Sequence, residues 1–150
     1  MSDYIHLTVA TICKADSRFL IVEEFSKDGR NVINQPAGHV DLGETIYDAA
    51  IRETLEETAW LVEPQYLVGI YQNLNSAEGT SSRQYLRICF YCKLLEQTNN
   101  AIDPAIIRTH WLTADEILAH TGHRSAMVRA SLNDFLAGKK ISLDILNTLS

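Results

Sequence analysis

The segment GHVDLGETIYDAAIRETLEETAW, residues 38–60, combines a helical spacing of apolar side chains with an unusual density of acids. The spacing predicts an amphipathic helix over residues 45–58, with Thr45 as its N-cap and Asp48 as the acidic capping partner three residues later. The side chains that we expect to face a core are Ile46, Ala50, Ile51, Thr54, Leu55 and Thr58. The acids of this helix need a separate explanation.

Three carboxylates crowd one side of the helix, because Glu53, Glu56 and Glu57 stand at i, i+3 and i+4. Arg52 can pair with Glu56 one turn later, but Glu53 and Glu57 have no basic partner at helical spacing. Like charges at this spacing destabilise a helix by roughly 0.2–0.5 kcal/mol per pair. Two explanations stay open on these residues alone: a solvated acidic face, or a site for a divalent cation such as Mg²⁺, which prefers oxygen ligands.

The loop before the helix, residues 36–43, favours the cation site. Gly38 and Gly43 let the backbone turn sharply and approach a ligand closely. A carbonyl oxygen of this loop could therefore reach the same ion as the carboxylates. A turn without a ligand is the plain alternative for two glycines.

The spacing of the charged residues resembles the Nudix box, the signature of the Nudix hydrolase family. Five residues separate the first glycine from the first glutamate, and seven more precede the arginine, as in the box. The matching fixed positions are Gly38, Glu44, Arg52, Glu53, Glu56 and Glu57. Two positions depart from the pattern, since Thr54 replaces a bulky apolar residue and Ala59 replaces the glycine that ends the helix. A left-handed Ala59 would cost about 1 kcal/mol, unless the helix continues past it.

The resemblance implies both a fold and a reaction. The implied fold is α/β, a single Nudix hydrolase domain over residues 1–150 in which a mixed β-sheet lies between helices as an α/β/α sandwich. The implied reaction is the Mg²⁺-dependent hydrolysis of a nucleoside diphosphate linked to another group, with Mn²⁺ as a substitute metal. An acidic helix repels phosphates, so bridging cations are needed to reverse the local field and polarise the phosphoryl oxygens.

The metal ligands implied by the resemblance are mainly glutamates of the box. Glu53 and Glu57 are the expected ligands, and Glu56 is either a third ligand or the general base. The carbonyl oxygen of Gly38, or of neighbouring Ala37, would complete the protein's share of the coordination sphere. The identity of the base stays open and includes residues outside the box.

Two further box residues are implied to position the others. Arg52 would orient the glutamates. Glu44 would hold the loop, either through Arg52 or through an amide at the helix start. Together with Glu53 and Glu56, they form the implied catalytic set.

Other stretches of the chain are similar to bacterial phosphatase-type Nudix enzymes. These stretches are VATICKADSRFLIVEE, NQPAGHVDLGET, RQYLRICFYCKL and RSAMV. The similarity implies release of orthophosphate from nucleoside tri- and diphosphates or from compounds like thiamine pyrophosphate. The alternatives are a housecleaning nucleoside triphosphate pyrophosphohydrolase, a dinucleoside polyphosphate or RNA 5′-end hydrolase, and a non-catalytic nucleotide-sensing domain. Sensing domains generally lack one or more box glutamates, all of which are present here.

Runs of β-branched and aromatic residues bounded by turn residues predict the strands. The predicted strands are residues 5–12, 19–25, 31–35, 66–73, 83–94 and 109–112, with a hairpin turn at 14–18. Two more helices are predicted over residues 115–120 and 125–137, with Gly138 as a stop. Strands, a helix, strands and then helices predict a mixed sheet covered by helices, not a strictly alternating doubly wound fold.

Several residues outside the box are weaker candidates for the site. The acids among them are Glu23, Glu24, Glu78, Glu96 and Asp103. Surface charge is the better explanation for Glu78, Glu96 and Asp103, whereas Glu23 and Glu24 end the second strand, from which one of them could reach the metal cluster. Arg83 and Arg87 share one face of a strand and could meet phosphate, with solvent exposure an equally good explanation. His39 lies in the glycine loop and could touch the substrate. Cys89 and Cys92 should point to opposite faces of their strand, which predicts buried thiols rather than a zinc or redox pair.

The composition limits the class of protein. With 46% hydrophobic residues, 21% charged residues and a formal net charge of -6, the chain is typical of a soluble globular protein, and the acidic charge argues against nucleic-acid binding. There is no apolar run of about 18 residues for a membrane span, and the first residues lack a signal pattern. Three cysteines, an odd number, favour a reducing cytoplasm. We therefore expect a small phosphoanhydride substrate as partner, with monomer and dimer both open.

Overall fold

The computed structural model describes residues 4–74 and 84–150. The strands within these ranges are β1 (Ile5–Ala15), β2 (Arg18–Phe25), β3 (Asn31–Asn34), β4 (Ala37–His39), β5 (Trp60–Asn73), β6 (Gln84–Gln97) and β7 (Ile106–Thr113). The helices are α1 (Ile46–Thr58), α2 (Ala114–Ala119) and α3 (Ala126–Leu136), followed by a 3₁₀ turn over Leu143–Ile145. In this described part of the chain, no helix is both long and apolar enough to cross a bilayer.

The sheet is mixed, as the order of elements predicts. Its strands lie in the order β3-β2-β1-β6-β5, with β4 added to β1 and β7 added to β2. The pair β1–β6 is parallel from Ile5 opposite Gln84 to Cys13 opposite Cys92, and the other pairs are antiparallel. The N-terminal part of β1 pairs with β4 and its last residues pair with β2, so β1 joins the glycine loop to the rest of the sheet.

Several strand boundaries differ from the prediction: residues 37–39 of the predicted loop form β4, β6 extends to Gln97, and β7 spans Ile106–Thr113 instead of residues 109–112. The first hairpin turns at residues 16–17 alone, because both strands continue into the polar stretch and Asp16 adopts a positive φ of 56°. The strand after α1 starts at Trp60, not at residue 66. Pro64 made residues 60–65 a poor match to a strand, but the register of β5 shifts between Pro64 and Tyr66, which accommodates the missing amide donor.

The core lies on both faces of the sheet. One apolar cluster contains Ala49 and Ala50 of α1 with Cys92, and the other contains Val128 of α3 with Cys89. All three cysteines are buried and unpaired. The prediction that Cys89 and Cys92 point to opposite faces as buried thiols is confirmed, and helices cover both sides of the sheet as in the predicted sandwich.

The buried face of α1 differs from the predicted stripe. Ala49 and Glu57 are buried although the stripe omitted them, whereas Ile46, Ile51 and Leu55 are only half-buried. Small side chains bring the helix axis close to the sheet, so the larger apolar groups lie at the rim of the contact. One carboxylate of the acidic segment is thereby placed on the inner side of the helix.

Both ends of α1 are capped. The Thr45 hydroxyl accepts a hydrogen bond from the Asp48 amide at 2.9 Å, which confirms the predicted N-cap. Ala59 is left-handed with φ 63°, and its amide donates to the Leu55 carbonyl at 2.9 Å. The helix therefore ends where a Nudix box ends it, with alanine in place of glycine.

The edge strand β5 has a partner from the end of the chain. The Leu67 amide donates to the Ile141 carbonyl and the Ile141 amide donates to the Leu67 carbonyl, both at 2.9 Å. This antiparallel bridge places residues next to the 3₁₀ turn against the outer side of β5.

Candidate functional site

Arg52 is the centre of a cluster of carboxylates between α1 and the loop before it. Its Nε donates to Glu44 at 2.7 Å, while Nη1 donates to Glu53 at 2.9 Å and to Glu56 at 3.1 Å. Its Nη2 also donates to the His39 carbonyl at 2.9 Å. The bonds to Glu44, Glu56 and Glu53 raise the pKa of Arg52, with the Glu44 bond as the largest cause. The predicted pair with Glu56 is present, and Arg52 also contacts Glu53, which had no partner at helical spacing.

Glu44 connects the loop to the helix. Its carboxylate accepts from Arg52 and from the Asp41 amide, the latter at 3.0 Å. The hydrogen bond from Arg52 is the main cause that lowers the Glu44 pKa. Glu44 is predicted to hold the loop through Arg52 or through an amide at the helix start. The contact with Arg52 is present, and the amide that donates to Glu44 belongs to Asp41 in the loop.

Glu57 lies on the inner side of α1, with only 9% of its surface exposed. Its Oε1 accepts from the Ala37 amide at 3.0 Å. Burial raises the pKa of Glu57 to about 8, and the charges of Glu24 and Glu53 add to the increase. A buried carboxyl that forms no ion pair within residues 4–74 and 84–150 is the type of group that a bound cation would stabilise in its charged form.

Gly38 lies directly against Glu53. A Cβ placed on Gly38 would be 2.1 Å from the carboxyl carbon of Glu53, so only glycine allows this approach. Burial raises the pKa of Glu53, and Arg52 partly counteracts the increase. The glycine that starts the box is therefore required by the position of a carboxylate, not by a positive φ.

Gly38, Glu53 and Glu57 open onto a cavity of about 600 Å³, called the central cavity below, whereas Glu44 and Arg52 lie outside its lining. Its lining residues are Thr8, Glu24, Asn34, Ala37, Gly38, His39, Asp41, Glu53, Glu57, Asn73, Tyr85, Arg87, Arg124, Ser125, Ala126 and Met127. Acids of the loop and of α1 form one wall, and two arginines lie among the remaining lining residues. The cavity can therefore present carboxylates and guanidinium groups to a single ligand.

Not all predicted metal ligands reach this cavity. Glu53 and Glu57 line it, but Glu56 does not, because Arg52 holds its carboxylate at a position where 46% of the side chain is exposed. Within residues 4–74 and 84–150, no three His, Cys, Asp or Glu side chains are gathered so that they could hold a metal ion. The donors nevertheless fit Mg²⁺, since two carboxylates with raised pKa values converge near a loop backbone, and Mg²⁺ usually binds one or two carboxylates and keeps several waters.

The acidic candidates outside the box lie in different environments. Glu24 lines the central cavity. Glu23 is bound by His110 at 2.8 Å and by Asn31 at 2.7 Å, and Asp103 accepts from the Ala105 amide, so both have structural partners. Glu96 is exposed, as expected of surface charge. Glu78 and Arg83 lie outside the described residues.

For Arg87 the sequence leaves two explanations equally open, solvent exposure and a contact with phosphate. The first of these is wrong. Arg87 is 4% exposed and lines the central cavity. Its hydrogen-bond partners are the side-chain amides of Asn34 and Gln35, which lie on or next to β3. Both residues are far from Arg87 in the sequence, and no sequence pattern indicates these contacts. Arg124, which directly precedes the N-cap Ser125 of α3, was also missed, although the RSAMV stretch was a visible signal.

His39 has an aromatic environment at the mouth of the cavity. Its Nε2 lies 2.9 Å from Nδ1 of His6, and the His6 ring stacks on Tyr85 with centroids 4.7 Å apart. The contact follows from the pairing of β1 with β4, in which Thr8 lies opposite His39. His39 lines the cavity, its contact with a substrate stays a prediction, and His6 is a neighbour that the sequence did not indicate.

Comparisons with known proteins agree with this geometry. A family model of the NUDIX domain matches residues 5–130. Phosphatase NudJ of Escherichia coli strain K12 is 34% identical over 143 residues, covering 94% of this chain and 90% of that protein, and Phosphatase NudJ of Shigella flexneri gives the same values. A solved NUDIX hydrolase from Nitrosomonas europaea superposes with a TM-score of 0.90 at 36% identity, covering 97% of this chain and 98% of that one. A UDP-X diphosphatase structure, 17% identical with a TM-score of 0.72 over 93% of this chain and 66% of that one, shares the fold.

Proposed function

The chain belongs to the Nudix hydrolase family, and on that premise we propose that it releases orthophosphate from nucleoside tri- or diphosphates, or from compounds like thiamine pyrophosphate, in a Mg²⁺-dependent reaction. Hydrolysis of phosphorus-containing anhydrides is the chemistry of the family. The observation that carries the choice of substrate and metal is the central cavity, which Glu53 and Glu57 line together with two arginines. Similarity to relatives named as phosphatases supports the choice of orthophosphate.

The residues that would hold Mg²⁺ are Glu53 and Glu57, with the backbone carbonyl of Gly38 and with waters. Glu56 would join them only after release from Arg52, which now holds it outside the cavity. When bound, the ion supplies a Lewis acid for the phosphoryl oxygens and lowers the pKa of a water. Mn²⁺ provides the same ligand chemistry as a substitute.

The protein groups perform the positioning and the proton transfer. Arg52 fixes Glu44, Glu53 and Glu56 through charge-assisted hydrogen bonds, which keeps the carboxylates in place as a phosphate approaches. We assign Glu53 as the base that takes the proton of the attacking water, because it lines the cavity and Glu56 does not.

The tests are a substrate panel and one variant. With Mg²⁺ present, nucleoside di- and triphosphates, thiamine pyrophosphate, ADP-ribose and diadenosine polyphosphates are incubated with the protein, and orthophosphate and pyrophosphate are assayed separately. Orthophosphate from the first two groups supports the proposal. Pyrophosphate from triphosphates, or turnover confined to the last two groups, refutes the substrate class. Glu57→Gln should abolish most turnover, whereas a nucleotide sensor would have none to lose.

We also propose that the protein works in the cytoplasm. Three buried, unpaired thiols suit a reducing compartment, and the proposed substrates are small soluble phosphates.

A further inference from the structure

Arg87 is a buried cation whose hydrogen-bond partners among the described residues are all neutral. Its side chain is 4% exposed, and it forms no ion pair with any residue in the described ranges. Its Nη1 and Nη2 donate to the amide oxygens of Gln35 at 3.2 Å and of Asn34 at 3.1 Å. Its Nε is buried and has no hydrogen-bond partner among the described residues. Within the described residues, the direct partners of this charge are thus two neutral amides, and the carboxylates of Glu24 and Glu57 act on it without forming an ion pair.

Such an arrangement is unfavourable for a protein on its own. Buried charges are normally paired, and a buried donor without a partner destabilises the folded protein, more so when it is charged. Burial accordingly lowers the pKa of Arg87. A hydrophobic side chain of similar volume would pack at this position without these costs. Because Arg87 lines the central cavity, an anion that enters the cavity would supply the missing partner.

The nearest acid of the network is already engaged. Oε2 of Glu24 accepts from Arg124 at 3.0 Å and from Asn34 at 3.3 Å. Asn34 therefore uses its oxygen for Arg87 and its nitrogen for Glu24, and it fixes both side chains. Glu24 therefore forms its ion pair with Arg124, and its charge acts on Arg87 only through space.

A second source of positive potential lies beside the two arginines. The first turn of α3 lines the same cavity through Ser125, Ala126 and Met127, and α3 is 11 residues long. The N-terminus of a helix of this length favours anions. Arg87, Arg124 and the start of α3 therefore form one basic group of lining residues, called the arginine wall, in a cavity that also holds the carboxylates of α1.

We propose that the arginine wall binds the free terminal phosphoryl group of the substrate, so that the enzyme selects phosphate chains with one unesterified end over chains esterified at both ends. This inference rests on the proposed function and specifies its substrate class. A terminal phosphoryl group has three free oxygens and close to two negative charges near neutral pH, which match two guanidinium groups and a helix start. A phosphoryl group in ADP-ribose or in a dinucleoside polyphosphate has two free oxygens and one charge, and its second ester would occupy the space at the wall.

The first test measures binding without catalysis. In the presence of EDTA, inorganic pyrophosphate is titrated against the wild type, Arg87→Met and the control Arg108→Met, and binding is followed by calorimetry and thermal unfolding. Arg108 is a suitable control because it lies on β7 with 63% of its side chain exposed, outside the cavity. We expect about 10- to 100-fold weaker binding for Arg87→Met, the usual range for a lost hydrogen bond to a charged group, and no change for the control. Equal binding by Arg87→Met and the wild type would overturn the proposal.

The second test measures selectivity. With Mg²⁺ present, kcat/KM is determined for ADP, which has a free terminal phosphate, and for ADP-ribose, in which both ends of the diphosphate are esterified. The wild type should prefer ADP, and Arg87→Met should lose that preference by about 10-fold or more. If the ratio of the two kcat/KM values does not change, the arginine wall has no such role, whereas the loss of turnover in Glu57→Gln would still support the proposed function.

A third variant protects the test against a folding defect. Should Arg87→Met fail to fold, Arg124→Gln replaces it, since Arg124 is partly exposed and its removal leaves the buried amides in place. We expect weaker pyrophosphate binding in EDTA for Arg124→Gln, and unchanged binding would count against the proposal. A wild type that binds pyrophosphate but turns over no substrate would refute the proposed function and leave the anion site standing.

Discussion

Glu57→Gln should remove a pH dependence of stability from the metal-free protein. The pKa of Glu57 is raised from 4.5 to about 8, mainly by burial. Between these two values the folded state keeps the proton that the unfolded state has lost, so the free energy of unfolding falls as the pH rises. Below about pH 4.5 both states are protonated, and above about pH 8 the full cost is present. Glutamine keeps an oxygen for the Ala37 amide and carries no charge at any of these values.

The magnitude follows from the separation of the two pKa values. Each pH unit in this window costs the wild type about 1.4 kcal/mol, which gives an upper limit of about 5 kcal/mol by pH 8. Relaxation of the carboxylate toward water in the cavity should reduce this to about 2–4 kcal/mol. For a domain of this size, 2 kcal/mol corresponds to a difference in Tm of about 4–8 °C.

The assay is urea and thermal unfolding in EDTA from pH 5 to pH 8 for the wild type, Glu57→Gln and the control Glu96→Gln. Glu96 is exposed, so its variant should follow the wild type at every pH. Mg²⁺ should restore the stability of the wild type at pH 8 and should have little effect on Glu57→Gln. A gap between wild type and Glu57→Gln that is the same at pH 5 and pH 8 would refute the reasoning.

Three other substitutions test the carboxylate cluster and the helix end. Arg52→Met should lower kcat/KM by about 100-fold or more because three carboxylates lose their common donor, and an unchanged kcat/KM would contradict the positioning role. Gly38→Ala should reduce kcat about 100-fold because the added methyl group displaces Glu53. Circular dichroism would show that the fold is kept, and a wild-type kcat would mean that the position of Glu53 is unimportant. Ala59→Gly should raise the free energy of unfolding by about 1 kcal/mol because it relieves a left-handed alanine, as measured in urea, and a decrease would show that the strain is absent.

The parts of the fold that the sequence predicts are those with strong local signals. α1 was predicted to within a residue or two because the cap Thr45 and the apolar spacing agree. The start of β5 was missed because Pro64 is locally unfavourable for a strand, and the register shift that accommodates it depends on β6. The inward position of Glu57 was also missed, since the charge of a residue does not reveal how closely small side chains allow a helix to approach the sheet.

The candidate site also has one part that the sequence predicts and one part that it does not. Its acidic wall belongs to one contiguous segment, so the spacing of the box was enough to identify the candidate ligands. The arginine wall is assembled from distant parts of the chain, and Asn34 and Arg87 are 53 positions apart. Their contact exists only because β1 brings β6 close to the residues around β3, which is a property of topology that no local pattern of one sequence contains.

The bridge between Leu67 and Ile141 has a consequence for self-association. An uncovered strand of 14 residues would offer a long row of unpaired amides and carbonyls, which is a template for recruiting strands of other copies into aggregates. Two backbone hydrogen bonds in the middle of β5 divide that template into shorter pieces. A foreign strand would have to displace the chain's own segment before it could pair along the whole edge, so this contact shortens the stretch of β5 that is open to such pairing.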